Sequence, residues 1–287
     1  MKKLTRVRLL VLLGITGFLL CLTGCLEEKE TLTVYPSGAG TIHVYQRLGD
    51  QLSQMITSFA PKDKKTEAIE EGFYKELAKW QGVTAWSPVR ATMENNRITY
   101  EATGYFDNVN ALKKTDGDSV QSVTWTSNPG GGFKLVWHGD NGKKQPPLEE
   151  ITDEQQQQTD TMIEMFKGLR IERAAIMPGA VDACTGCTEH KDRSASSVIT
   201  GDDVVQMLAM QKDYRARIAS KQITSAKANA EFIEKTNKLS ADLEITSAPG
   251  NVSAEFAQFK NDYEKAKKDS AAAGTAAKIQ GAAAAGH

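Results

Sequence analysis

The stretch "TLTVYPSGAGTIHVY", residues 31–45, decides the fold class. Apolar and polar residues alternate in TLTVY (31–35) and again in TIHVY (41–45), and Pro36-Ser37-Gly38-Ala39-Gly40 separates the two runs. Alternation with a period of two marks a half-buried strand, and a glycine-rich break between two such runs reads as a hairpin. The phase predicts Leu32, Val34, Ile42 and Val44 facing a core, and Thr31, Thr33, Tyr35, Thr41, His43 and Tyr45 facing the other way. Antiparallel sheets tolerate a solvated face. If the helices and the sheet splay apart, that side instead offers an apolar groove for a lipid tail.

Working outward from the hairpin, Leu52, Met55, Ile56 and Phe59 form one helical stripe, and Ile69, Phe73, Leu77 and Trp80 form another, with Gly82 placed to end it. Strands are predicted over 83–91 and 97–104, joined at Asn95-Asn96, with a short helix at 107–113. The same order then returns. SVTWTS (122–127) and FKLVW (133–137) flank Asn128-Pro129-Gly130-Gly131-Gly132. Thr152 and Gln155 have capping-box spacing ahead of Met162, Ile163 and Phe166. Strands at 169–177 and 194–200 follow, and GDDVVQML (201–208) echoes FDNVNAL (106–112).

The resulting expectation is an α+β fold, with a mostly antiparallel sheet built from a duplicated hairpin–helix–two-strand unit at 31–115 and 116–211. C-terminal helices follow over 212–269, with Trp80, Trp125, Phe133, Leu135 and Trp137 in the core. Residues 202–246 read as continuously helical, Pro249-Gly250 as a break, and Ser253 as the cap of a last helix. The Phe256, Phe259 and Tyr263 stripe of that helix either docks on the body or receives a partner. The Ala/Gly-rich segment 270–287, with only Ile279 to bury, is expected to be disordered.

Before the hairpin stands "LLVLLGITGFLLCLTGCLEEKE", residues 9–30, preceded by Lys2, Lys3, Arg6 and Arg8. A basic start, an apolar run of about 14 residues and a small-residue end make a signal peptide rather than a span, which needs roughly 20. Leu22-Thr23-Gly24-Cys25 resembles the lipobox of bacterial lipoproteins. The resemblance implies a signal peptide over 1–24 that is removed together with Cys21. It also implies a covalent acyl lipid on Cys25 as the chain's attachment to membrane lipid, and a tether over 25–30. Leu26 in place of Asp implies, in bacteria with two membranes, an outer-membrane location facing the periplasm. Two or three acyl chains hold stably where one does not.

Past residue 24 all 36 acidic residues remain but only 31 of the 35 basic ones, a net charge of −5 that argues against a nucleic-acid partner. From Thr31 to Leu208 the chain also resembles uncharacterised envelope lipoproteins, including those of planctomycete-type genomes, on "TLTVYPSGAGTI", "IMPGAV" and "DRSASSVITGDDVV". More distantly it resembles a mycobacterial-type lipoprotein domain that begins with a similar hairpin. Neither resemblance supplies catalytic residues.

Cys184-Thr185-Gly186-Cys187 is the motif with chemical promise, in a loop between two predicted strands. Three readings stand. One is a disulfide, as an oxidising compartment allows. One is a redox pair, which needs a helix N-terminus to lower the thiol pKa. The third is a metal site with His190 and either Asp182 or Glu189, although zinc sites usually bring a second ligand pair. No serine or carboxylate is placed by sequence beside His43, His138 or His287, and no phosphate loop or nucleophile elbow occurs. The expectation is a non-enzymatic, membrane-tethered lipoprotein that presents a binding or scaffolding domain to an envelope protein or lipid. The alternatives are a thiol-redox or metal-dependent protein and a lipid-binding protein.

Overall fold

The computed structural model of the chain describes residues 26–50, 53, 58, 65–95, 97–117, 119–139, 148, 166, 168–236 and 242–285. Residues 1–25, which hold Cys21, Cys25 and the signal peptide predicted over 1–24, lie outside this set. So do Leu52, Met55, Ile56, Phe59, Thr152, Gln155, Met162, Ile163 and His287.

Strands are numbered along the chain and fall into two sheets. The first sheet contains β1 (Glu27–Val34), β2 (Gly40–Leu48), β4 (Ala85–Trp86), β5 (Arg90–Glu94), β6 (Arg97–Phe106), β10 (Arg170–Ile176), β12 (Glu189–Lys191) and β13 (Ser194–Thr200). Its order is β12-β13-β10-β1-β2-β6-β4, with β5 also on β6. The β1–β10 pair is parallel and the others are antiparallel. The second sheet contains β3 (Trp80–Gln81), β7 (Lys113–Asp116), β8 (Ser119–Ser127), β9 (Phe133–His138), β11 (Val181–Thr185) and β14 (Leu243–Ser247), in the order β11-β14-β9-β8-β7-β3. The class is α+β with C-terminal helices.

The opening hairpin forms in the predicted phase. Leu32, Val34, Ile42 and Val44 are buried and pack in one cluster with Ile98, Tyr100, Ala102 and Phe106 of β6. Gly40 is required at the start of β2, because a Cβ there would stand 1.9 Å from the Thr33 carbonyl oxygen. The second sheet closes the same cluster with Val123, Trp125, Phe133, Leu135, Trp137, Leu243 and Ile245. Helix α1 (Lys65–Ala78) completes the cover: Phe73 and Leu77 are buried, and Phe73 stacks on Tyr100 with ring centroids 5.1 Å apart. Each large side chain buried this way contributes about 1.5–3 kcal/mol. Trp80 is in the core as expected, but on β3 rather than on the helix, meeting Trp137 edge-on.

The two predicted units are distributed differently between the sheets. The first hairpin, β1–β2, shares a sheet with β5 and β6, whereas the second hairpin, β8–β9, is in the other sheet from β10 and β13. The halves therefore interleave in one core, tied by the parallel β1–β10 pair.

Three local expectations are corrected. The strand predicted over 83–91 is broken at Ser87-Pro88-Val89 into β4 and β5, and the helix predicted at 107–113 is a single 3-10 turn, Val109–Ala111. The helical run expected to residue 246 is instead α2 (Gly201–Ala219), α3 (Ser225–Thr236) and the strand β14. LEITS alternates, with Leu243 and Ile245 buried between β9 and β11, so strand pairing wins over helix there. Thr200 and Asp203 form a reciprocal capping box at the start of α2, and α2 and α3 enclose their own cluster of Tyr214, Ile223, Ala228 and Phe232 with Leu148.

A further correction concerns the C-terminus. Helix α4 (Ser253–Ala273) is followed, after Gly274 in the left-handed region (φ +63°), by helix α5 (Thr275–Ala285) where disorder was expected. Val252, not Ser253, occupies the N-cap position of α4. Alanine has the highest helix propensity, and α5 has somewhere to dock: Ile279 joins the main core and Lys278 lies over the Tyr74 ring at 5.3 Å.

Candidate functional site

Helix α4 lies against the outer face of the first sheet. Tyr105 stacks on Tyr263 at 5.7 Å, and Tyr35 packs against Phe256 and Phe259 at 5.2 and 5.0 Å. The Tyr263 hydroxyl donates to Asp107 (3.0 Å), and Arg193 Nη1 donates to both carboxylate oxygens of Glu255 (2.8 and 2.9 Å). The Phe256–Tyr263 stripe is thus spent on the body. Beyond this aromatic contact the helix and the sheet diverge into a cleft of about 620 Å³, between β2 and β6 on one side, residues 87–90 at the rim, and α4 on the other.

Its chemistry is polar. His43 Nε2 is 3.7 Å from Glu101, Arg90 Nη1 donates to Glu101 (2.8 Å), and Asp262, Lys265 and Asp269 face them from the helix. The His43 face of the hairpin therefore does open a cleft, but one lined with both signs of charge, which does not suit a hydrocarbon tail. A second, smaller cleft of about 330 Å³ lies under α5, among Trp80, Val83, Trp86 and Ile279.

A buried charge group joins the two sheets. Glu30 faces inward from β1 and is 3% exposed, and Lys114 reaches it from β7 (2.5 Å) while also donating to Glu28 (2.8 Å). Arg173 is the cross-strand neighbour of Glu30 on β10, Lys79 stands near Glu28, and Lys114 lies over the Trp80 ring at 5.8 Å. Burial pushes the Glu30 carboxyl above its ordinary value, Lys114 works against that shift, and the Glu28 charge adds to it. Burial also acts to raise Glu28, but Lys114 outweighs it and the carboxyl is held low. Lys114 is held up by Glu30 and Glu28 against its own burial. Removing one member of such a group leaves a buried charge unpaired.

Sequence reasoning missed this cluster. The signal was available, because Glu30 has the same strand parity as Leu32 and Val34 and so points inward.

Cys184 and Cys187 stand at disulfide distance, with Cα atoms 6.0 Å apart, where the chain leaves β11 of one sheet for β12 of the other. Gly186 between them has φ +76°, and a Cβ there would stand 2.2 Å from the Asp242 carbonyl oxygen, so the loop is pressed onto the start of β14. No helix begins at the pair. His190 and Glu189 are exposed on β12 and Asp182 on β11 of the other sheet, and no three metal-ligating side chains come together among the described residues.

His138, which sequence left without a carboxylate, has one. Its Nδ1 is 2.9 Å from Asp242, and its Nε2 is 3.0 Å from the Thr124 hydroxyl. Asp242 was hidden because its segment read as helix. The connectivity is carboxylate–imidazole–hydroxyl, but Thr124 is exposed on a strand face and neither cleft includes it. Asp242 also accepts the Gly139 N–H (2.9 Å), so the group fastens the β9 end to β14.

No protein-family model and no curated protein matches the sequence. Among solved structures, the chain is similar to the folded domain of LppM from Mycobacterium tuberculosis, determined by NMR. The identity is 9%, the coverage is 80% of this chain and 93% of that one, and the TM-score is 0.33.

Proposed function

We propose that the protein is a membrane-tethered envelope lipoprotein whose α+β body is a non-enzymatic binding module, with the cleft between the first sheet and α4 as its binding site. One observation carries the tethering. Leu22-Thr23-Gly24-Cys25 ends one residue before Leu26, which packs on the core, and two before β1 begins at Glu27. Cleavage at this lipobox would leave a body with almost no spacer.

The binding role rests on the cleft, whose His43, Arg90, Glu101, Asp262, Lys265 and Asp269 suit a polar ligand carrying both donors and acceptors. The placement of Cys184 and Cys187 away from any helix N-terminus supports a structural disulfide over a redox pair. The acyl chain on Cys25 is the covalent group the reading requires, and an outer-membrane location facing the periplasm is the compartment it favours.

The test is expression of the full chain in a bacterial host, followed by mass spectrometry of the N-terminal peptide and membrane fractionation. The expected result is an acylated Cys25 at the new N-terminus and a membrane-bound protein. The Cys25→Ala variant should keep residues 1–24 and lose the acyl mass. An unmodified Cys25 in wild-type protein would end the reading.

A further inference from the structure

If Cys25 is acylated, the tether is too short to let the body turn freely. An extended residue spans at most about 3.3–3.6 Å, so Glu27 stands within about 7 Å of the lipidated cysteine. Residues level with Glu27 in the first sheet are held at the same height, and the strand register names them. Glu27 lies opposite Arg47 on β2 and Arg170 on β10. One step further, Leu48 lies opposite Ile98 on β6, and Ile98 opposite Met93 on β5, while Arg97 lies opposite Glu94. With strands ~4.8 Å apart, three steps from β1 to β5 carry this rim about 15 Å sideways from the anchor.

The composition of the rim fits the place. Met93, next to last on β5, is a large apolar side chain that is 59% exposed. Along the same end of the sheet, Arg47, Arg97 and Arg170 have side chains 37%, 42% and 45% exposed. Each has a carboxylate nearby: Glu27 at 3.4 Å, Asp50 at 2.8 Å and Glu172 at 3.0 Å. A layer of phospholipid headgroups with alternating phosphate and ammonium presents the complementary pattern, and an exposed methionine has somewhere apolar to go below it.

We propose that this end of the first sheet is a membrane-docking face, with Met93 entering the headgroup layer and Arg47, Arg97 and Arg170 meeting lipid phosphates. The proposal rests on the acylation of Cys25. It fixes how the domain stands: the end carrying Met93 sits on the bilayer, and the end carrying the Gly38 and Gly131 turns points into the aqueous compartment.

The test places an environment-sensitive fluorophore at Met93→Cys or at Ser127→Cys, which is exposed at the far end of β8. Each acylated full-length protein is labelled without reductant and reconstituted in phosphatidylethanolamine/phosphatidylglycerol vesicles containing a nitroxide-headgroup lipid. A docked side chain sits within the 5–10 Å interfacial zone, so quenching at 93 should exceed that at 127 by about threefold. The signal at 93 should also shift to the blue relative to detergent. Equal quenching at both sites, in protein shown by mass to be acylated, overturns the docking face and leaves the lipoprotein reading standing. Protein with no acyl mass overturns both.

Discussion

At the scale of single residues, Glu30 is the most consequential position. Its carboxyl is buried between sheets, shares Lys114 with Glu28, and is raised above its ordinary value of 4.5 chiefly by burial. A raised carboxyl means that folding takes up a proton. The stability it contributes is complete below the unfolded value and is lost as pH rises through the folded value. Glu28, held low by Lys114, acts in the opposite sense but only below 4.5, so the two windows separate. Urea midpoints measured from about pH 5 to about pH 7 should therefore fall for wild type relative to Glu30→Gln, whose profile loses this component. Parallel profiles for the two proteins would contradict the assignment. Lys114→Met should cost about 3–5 kcal/mol at neutral pH by the same denaturation, because it strands a buried carboxylate.

At the scale of elements, the C-terminal helices are structural parts rather than a tail. Helix α4 is held by the Tyr35, Tyr105, Phe259 and Tyr263 rings, and α5 by Ile279 against the main core. Ile279→Asp puts a charge where α5 docks, and should cost about 2–3 kcal/mol in urea unfolding. Limited proteolysis should then cut near Gly274 in the variant and not in wild type. Equal resistance would mean that α5 is not held by that side chain.

The elements also divide by how local their cause is. The hairpin at 31–45 and the β8–β9 pair follow from alternation and turn glycines, and were legible residue by residue. Helix α2 announced itself through GDDVVQML (201–208). Strand β14 did not, because five alternating residues inside a polar, alanine-containing stretch leave helix and strand balanced, and only the free edges of β9 and β11 decide between them. Nor did α5, whose single large apolar residue commits it to nothing until α1 and the β3–β4 edge are in place.

At the scale of the whole molecule, the parallel pairing of β1 with β10 is the main structural link. It sets Glu27 against Arg170 and Thr33 against Ile176, and it makes the N-terminal strand an interior one. Residues 26–116 and 117–287 expressed separately should each lack a cooperative thermal transition by far-UV circular dichroism. A cooperative transition in the shorter fragment would show that the first half has a core of its own.

Sequence by itself determined the class of fold, the inward and outward phase of the first hairpin and the tryptophan core of β8–β9. All of these depend on neighbours a few positions away, where period and turn chemistry act directly. The tertiary structure alone decided the rest. It divided the strands between two sheets and brought Lys114 to Glu30, Asp242 to His138 and α4 across the hairpin to form a cleft. Those pairings join residues 84 or more positions apart in the chain, and what selects them is the burial of shared apolar surface, which leaves no periodic mark in either partner.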